Sequence, residues 1–172
     1  MTSFFATLTG LSTGARYLIV FFVSMVPLIE LRGAIPIAAV MGLMDSVPHT
    51  VMVFVTAIIG NMIPVPIIYL FARKVLEWGK DKPIIGGFFN FCLEKGKKGG
   101  EKLQAKAGRG LFVALTLFVG IPLPGTGAWT GTLAASILNM KFKETVIAAM
   151  LGVLLAGVIM LTISLAGVGI AG

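Results

Sequence analysis

The sequence is poor in the residues that build catalytic and metal sites. Its 172 residues include one cysteine, one histidine and seven carboxylates, and 12% of the chain is charged, against roughly 25% in an average soluble domain. One cysteine cannot form a disulfide framework, and the few candidate ligands show no metal-binding spacing. Zincin, serine-hydrolase and P-loop motifs are absent as well. We therefore expect a protein that is not an enzyme, with no metal and no cofactor.

What the sequence has in abundance is apolar surface. It is 57% hydrophobic with a mean hydropathy of +1.00. The longest stretches without a charged residue are 46–72, 110–140 and 145–172, with 27, 31 and 28 residues. At about 1.5 Å per helical residue, each can cross the roughly 30 Å of hydrocarbon in a bilayer. The composition predicts an all-α integral membrane protein in which residues 1–172 form a single membrane domain.

Most of the positive charge lies in one connection. Ten of the fourteen lysines and arginines fall between residues 73 and 109, together with four acids, so this segment carries a formal charge of +6. Cytoplasmic loops of membrane proteins are enriched in lysine and arginine, which predicts that 73–109 is cytoplasmic in a multi-pass protein of the cell membrane. The net charge thus indicates sidedness, and we expect no nucleic-acid partner.

Two interruptions of the apolar pattern recur 94 residues apart. The first interruption, 26–36, reads VPLIELRGAIP, and the second interruption, 120–130, reads GIPLPGTGAWT; the offset aligns Gly33-Ala34 with Gly127-Ala128. Proline removes a backbone donor and glycine costs about 1 kcal/mol in a helix, so each interruption ends one helix and begins another. The flanking legs of 11 to 13 residues reach only about 16 to 20 Å and cannot cross a bilayer alone.

Each interrupted segment is either a re-entrant hairpin or a single kinked crossing. With hairpins, each half crosses the membrane once, the second half is inverted, and Lys141 and Lys143 lie beside the cytoplasmic connection while Arg16 lies outside. With kinked crossings, the halves are parallel and these basic residues exchange sides. Paired, interrupted segments in corresponding positions are typical of inverted-repeat transporters. We therefore predict an inverted repeat whose first half, 1–72, contains hairpin 17–44 and span 46–72, and whose second half, 110–172, contains hairpin 110–139 and span 145–171.

Glu30 and Arg32 lie about thirteen apolar residues inside the first membrane segment. On insertion scales, each charge at this depth costs about 2.5 to 3.5 kcal/mol unless it is paired. An ion pair between the two that closes the turn is one explanation. The other is a polar site in which Glu30 takes and releases a proton or cation and Arg32 holds an anion.

The second interruption has no charge but suits an anion. Gly125-Thr126-Gly127 allows several backbone amides to converge, and a half-helix that starts near Ala128 adds its positive end. The alternative is that these small residues only allow close helix packing. The candidate substrate-binding residues, with Glu30 also as the coupling-ion residue, are Glu30, Arg32, Gly33, Pro36, Asn61, Pro124, Gly125, Thr126, Gly127, Trp129 and Thr130.

The motifs ELRGAIP at 30–36 and PLPGTGAW at 122–129 resemble those of the prokaryotic small multidrug export proteins. That family resembles in turn the DedA superfamily, and this resemblance implies two opposed re-entrant hairpins and movement of lipids such as undecaprenyl phosphate between leaflets. Glu30 is similar to the acidic residue of the first DedA hairpin, and Pro124-Gly125 to the Pro-Gly of the second. DedA proteins carry arginines around that Pro-Gly, whereas this sequence has Thr126 and Gly127.

From these observations we expect a transporter in a prokaryotic cell membrane. It would move an anionic substrate, a lipid phosphate, past a midplane site formed by the two opposed hairpins, with proton or sodium coupling through Glu30. Membrane lipids and a second copy of the chain in a homodimer are the expected partners. Two alternatives stay open: proton-coupled efflux of small drug-like cations, for which Arg32 would be a hindrance, and a non-transporting membrane scaffold.

Overall fold

The protein is described here from a computed structural model that covers residues 10–79, 87, 110–123 and 125–171. Within these ranges the chain forms helices and turns and no strand, which confirms the expected all-α class. Pro124 and nearly all of the basic connection lie outside the described residues. The helices are α1 Thr13–Met25, α2 Glu30–Val40, α3 Val47–Met62, α4 Pro64–Gly79, α5 Gly110–Gly120, α6 Ala128–Ile137 and α7 Phe142–Ala171.

Local sequence explains where the short helices α2 and α6 end. Gly42 follows α2 with φ +69°, and the amide of Leu43 donates to the carbonyl of Ala38 at 3.0 Å. Asn139 takes the same role after α6 with φ +55°. Glycine and asparagine tolerate this left-handed conformation, which satisfies carbonyls that the helix leaves unpaired.

Two apolar segments are long enough to cross a membrane. They are Val47–Ala72 and Phe142–Gly167, by length and composition. In the apolar 18-residue stretch of each, only 33% is buried inside the protein. The first is interrupted at Ile63, where α3 gives way to α4 at Pro64, because proline has no backbone N–H to continue the helix. The exposed apolar surface along both segments indicates a membrane protein.

These two segments run in opposite directions. The hydroxyl of Tyr69, near the end of the first segment, donates to the carbonyl of Met140, just before α7 begins. Leu165, late in α7, lines the same surface pocket as Val47 at the start of α3. The start of each segment therefore lies beside the end of the other.

The interrupted segments are anchored at opposite ends of the protein. Helices α1 and α2 pack against each other, and Arg16 at the start of α1 donates to the carbonyl of Met41 after α2 at 2.8 Å. Leu111 at the start of α5 and Met140 after α6 line one small pocket at the other end. We call these the Arg16 end and the Lys141 end, since Lys141 follows Met140.

Helix α2 is the centre of the hydrophobic core. Leu31, Ala34, Ile35 and Ala38 are at most 1% exposed, and α2 packs against α1, α3 and α7. The alternation of large residues with alanines allows these helices to approach closely. Because α2 is central, Glu30 at its start is buried next to the second interruption, whereas residues 26–29 before it are exposed.

Candidate functional site

The first interruption directs the side chain of Glu30 into the protein. Leu28 and Glu30 both have positive φ values, +70° and +52°, so the backbone turns sharply between α1 and α2. Glu30 is only 3% exposed. Its two carboxylate oxygens accept hydrogen bonds from the backbone amides of Ala128 at 3.2 Å and Trp129 at 3.0 Å. Glu30 thus connects the first half of the chain to the second.

The Glu30 carboxylate caps helix α6. The first amides of a helix have no partner within it, and its N-terminus carries about half a unit of positive charge, so a carboxylate stabilises this position. Gly127 precedes α6 with φ +150°. A β-carbon at residue 127 would lie 2.4 Å from Glu30 Oε2. The contact between the two halves therefore depends on glycine at this position.

Arg32 binds the other side of the second interruption. Its Nη1 atom donates to the carbonyl of Leu123 at 2.8 Å and to Thr126 Oγ1 at 2.9 Å, and also to the carbonyl of Thr126. Its Nη2 atom donates to the carbonyls of Val119 at 2.9 Å and Ile121 at 3.3 Å. Val119 belongs to the last turn of α5, where a helix presents negative charge, and the other carbonyls belong to residues after the end of α5.

The structure thus gives a third explanation for the two buried charges. Within the described part of the chain, Glu30 and Arg32 do not form the ion pair that closes the turn; each binds the backbone of the second interruption. Hydrogen bonds to charged groups contribute about 1.5 to 3 kcal/mol each, enough to offset the cost of burying the charges. The two interruptions are therefore in direct contact.

A pocket of about 360 Å³ lies between the first interruption, α4 and α6 and is open at the surface of the protein. Its lining is almost entirely apolar, and Glu30 is the charged residue in that lining. In the described ranges, no three histidine, cysteine or acidic side chains cluster as metal ligands. We call this the Glu30 pocket; its lining consists of Pro27, Leu28, Glu30, Ile68, Phe71, Ala72, Val75, Thr126, Trp129, Thr130 and Leu133.

The sequence-predicted site residues divide into three groups. Those that line the Glu30 pocket are Glu30, Thr126, Trp129 and Thr130. Those that belong to the interruptions or to α2 without lining it are Arg32, Gly33, Pro36, Gly125 and Gly127. Asn61 is 1% exposed on α3, its Oδ1 atom has no hydrogen-bond partner, and it does not line the pocket. Pro124 lies outside the described residues.

Sequence reasoning missed the wall of the pocket that α4 supplies. Ile68, Phe71, Ala72 and Val75 line it, and their spacing of three, four and seven residues places them on one face of a helix. The spacing is visible in the sequence. It carries no information about which partner the face meets, because the whole segment is apolar.

Comparison with known proteins gives one family. A family model described as "Putative small multi-drug export protein" matches residues 30–159. The matched region begins at Glu30 and contains the second interruption and most of α7. No curated protein and no solved structure matches the chain.

Proposed function

We propose, from the premise that this chain belongs to the small multidrug export family, that it exports small hydrophobic cations through the Glu30 pocket. The observation that carries this proposal is one acidic residue, Glu30, in the lining of an otherwise apolar pocket. The volume of about 360 Å³ is within the range of small-molecule sites. Apolar walls favour a hydrophobic body, a buried carboxylate favours a positive charge, and the indole of Trp129 can add a cation–π contact.

The membrane arrangement that we propose is an inverted repeat of re-entrant hairpins, α1–α2 and α5–α6, each followed by a spanning segment. The contact between Tyr69 and Met140 supports it. If the interrupted segments were kinked crossings, these two residues would lie near opposite membrane surfaces. With hairpins they lie near the same surface, as the hydrogen bond requires.

The same arrangement supports an orientation in a prokaryotic cell membrane. Lys141 and Lys143 are exposed and lie at the end of the protein where α4 leads into the 73–109 connection. Arg16 lies at the opposite end, where it binds Met41. The positive-inside rule then assigns the Lys141 end to the cytoplasm. The Glu30 pocket, whose α4 wall reaches Val75, is on the cytoplasmic side of the two interruptions.

The observed hydrogen bonds argue for a cation in preference to the lipid phosphate that the sequence suggested. The amides at the start of α6, which could bind an anion, already donate to Glu30. The guanidinium of Arg32 donates to carbonyls of the second interruption. An anionic ligand would have to displace the contacts that join the two halves. A cation needs only the carboxylate of Glu30, a residue of the pocket lining, because each carboxylate oxygen can accept more than one contact.

Proton coupling follows from the same carboxylate. A protonated Glu30 has no charge to attract a cation, and one of its oxygens becomes a donor that can no longer accept from an amide. Proton and substrate therefore compete for one group. Export would take a cation from the cytoplasm and return a proton through Glu30.

The proposal is tested with purified protein in detergent and in proteoliposomes, with ethidium as the probe cation and neutral phenanthridine as its uncharged counterpart. Glu30→Gln keeps the shape of the side chain but removes the charge. We expect ethidium binding about 100-fold weaker, because removal of one partner of a buried charge pair costs about 3 kcal/mol or more. Phenanthridine binding should change little, and a pH gradient should drive ethidium uptake by the wild type only.

The matched control is Glu144→Gln, since this acid is partly exposed at the Lys141 end and pairs with Lys141 at 3.8 Å, outside the pocket. It should bind ethidium as the wild type does. Equal ethidium binding by Glu30→Gln and wild type would overturn the proposal. Binding of farnesyl phosphate in place of ethidium would restore the lipid-phosphate hypothesis, and binding of neither probe would favour a scaffold.

A further inference from the structure

The two halves meet around an approximate two-fold axis. Arg32 and Thr126 are separated by 94 residues, which is the offset of the sequence repeat, and they bind each other. Contact between two repeat-related positions requires that the axis relating the halves passes between them. The helix contacts agree, because α1 packs on α3 as α5 packs on α7, and α2 packs on α7 as α6 packs on α4.

The packing within the two hairpins breaks this symmetry. In α1, Val20 and Ser24 are 0% exposed, and Ser24 lies against Gly60 of α3. Their repeat equivalents in α5, Ala114 and Phe118, are exposed, Phe118 by 41%. Helices α1 and α2 pack closely on each other, whereas a pocket of about 180 Å³ lies between α5 and α6 beside these two residues, and α5 meets α6 at Val119 and Gly131. The first hairpin is therefore closed, and the second is open.

The ligand pocket is asymmetric in the same way. Trp129 and Leu133 of α6 line the Glu30 pocket, and Leu133 is 43% exposed. Their repeat equivalents in α2 are Ile35, which is 0% exposed, and Ala39, which is partly buried. The α6 face is thus open toward the Lys141 end. The equivalent α2 face is packed inside the protein and is not open toward the Arg16 end.

We propose that the protein has a second state in which the two halves exchange these packings. In that state α5 closes on α6, α1 separates from α2, the Glu30 pocket closes, and a pocket opens at the Arg16 end. The new pocket is lined by the repeat equivalents of the Glu30 pocket: Ile35, Pro36 and Ala39 of α2, with Thr162 and Leu165 of α7. Because two-fold repeats have nearly equivalent interfaces, such an exchange needs no new fold. This inference rests on the proposed transport function. The second state provides the pocket at the Arg16 end from which the substrate is released.

The experiment uses two repeat-equivalent cysteine variants, Ala39→Cys and Leu133→Cys, in a background without the single native cysteine (Cys92→Ser). A membrane-impermeant maleimide is applied from each side of oriented vesicles. Ser46→Cys at the Arg16 end and Lys141→Cys at the Lys141 end report sidedness and folding. In the resting protein, Leu133→Cys should react with the maleimide applied at the Lys141 end. This reaction should be faster than that of Ala39→Cys with the maleimide applied at the Arg16 end.

A second pair of changes shifts the equilibrium without any ligand. Ala114→Val with Phe118→Ser gives α5 the side chains that α1 has at Val20 and Ser24, which should favour the closed second hairpin. We expect the reaction rate of Leu133→Cys to fall and that of Ala39→Cys to rise by about threefold or more, as a shift between two states requires. Saturating ethidium should also change the two rates in opposite directions.

The outcomes separate this inference from the proposed function. Rates that stay constant, or that rise together while the two reporter cysteines are unchanged, would overturn the exchange of packings. If ethidium binding remains dependent on Glu30 in that case, the proposed function survives alone. Reciprocal rate changes in the transplanted variant without ethidium binding would support the exchange and reject the cation as substrate.

Discussion

Gly127→Ala should separate the two halves of the protein at their central contact. The added β-carbon would lie 2.4 Å and 2.5 Å from the two carboxylate oxygens of Glu30 and 2.7 Å from its Cδ atom. Real contacts of this kind are not found below about 3 Å, so the carboxylate must move. It would then lose its hydrogen bonds to the amides of Ala128 and Trp129.

The magnitude follows from these two bonds. Charge-assisted hydrogen bonds contribute about 1.5 to 3 kcal/mol each, so we expect a loss of about 3 to 6 kcal/mol in unfolding free energy, in addition to backbone strain. Gly125→Ala is the matched control, because Gly125 also has a positive φ, +80°, but nothing lies within 4 Å of its β-carbon position. It should lose only the strain, about 1 to 2 kcal/mol.

The assay is thermal unfolding in detergent micelles, where a difference of about 3 kcal/mol corresponds to about 6 to 12 °C between the two alanine variants. A double-mutant cycle with Glu30→Ala checks the cause, since Gly127→Ala should cost much less once the carboxylate is gone. Equal melting temperatures for Gly125→Ala and Gly127→Ala would refute the close contact. A full cost of Gly127→Ala in the absence of Glu30 would attribute it to the backbone alone.

Three further predictions concern the remaining polar contacts. Arg32→Lys should destabilise the protein by about 1.5 to 3 kcal/mol in the same unfolding assay, because a single ammonium cannot donate to all the acceptors that the planar guanidinium binds. An unchanged melting temperature would contradict this. Tyr69→Phe removes the hydrogen bond to the carbonyl of Met140 and should lower the unfolding free energy by about 1 kcal/mol. A stabilised variant would show that the bond is absent. The hydrogen bond from His49 lowers the pKa of Asp45, so the stabilisation by this pair is present above the ordinary aspartate pKa and is lost as the pH falls through the lowered one. In an NMR titration, His49→Ala should raise the Asp45 pKa toward its ordinary value, and an unmoved titration would reject the pair.

Much of the fold is predictable because its main signals are local. Proline and glycine clusters end helices wherever they occur, so both interruptions and the break at Pro64 can be read from the sequence. The difference in packing between the two interrupted segments is not local. It depends on which apolar faces meet, and leucine, valine and phenylalanine pack with many partners at similar energy.

The chemistry of the site is predictable only in part. The depth of Glu30 and Arg32 in an apolar segment marks them as partnered, and the start of a half-helix near Ala128 marks an anion site. The sequence could not show that the anion in that site is the chain's own Glu30. An N-terminal cap normally comes from the residues just before the helix, whereas this one comes from nearly one hundred residues away.

That long-range cap has a consequence for biosynthesis. When the first half leaves the ribosome, Glu30 and Arg32 enter lipid without the backbone groups that bind them, and those groups emerge about ninety residues later. Neither interrupted segment alone satisfies its buried polar groups, since the second also has its own amides and carbonyls to pair. The two halves are therefore expected to reach their buried state together, as one cooperative unit.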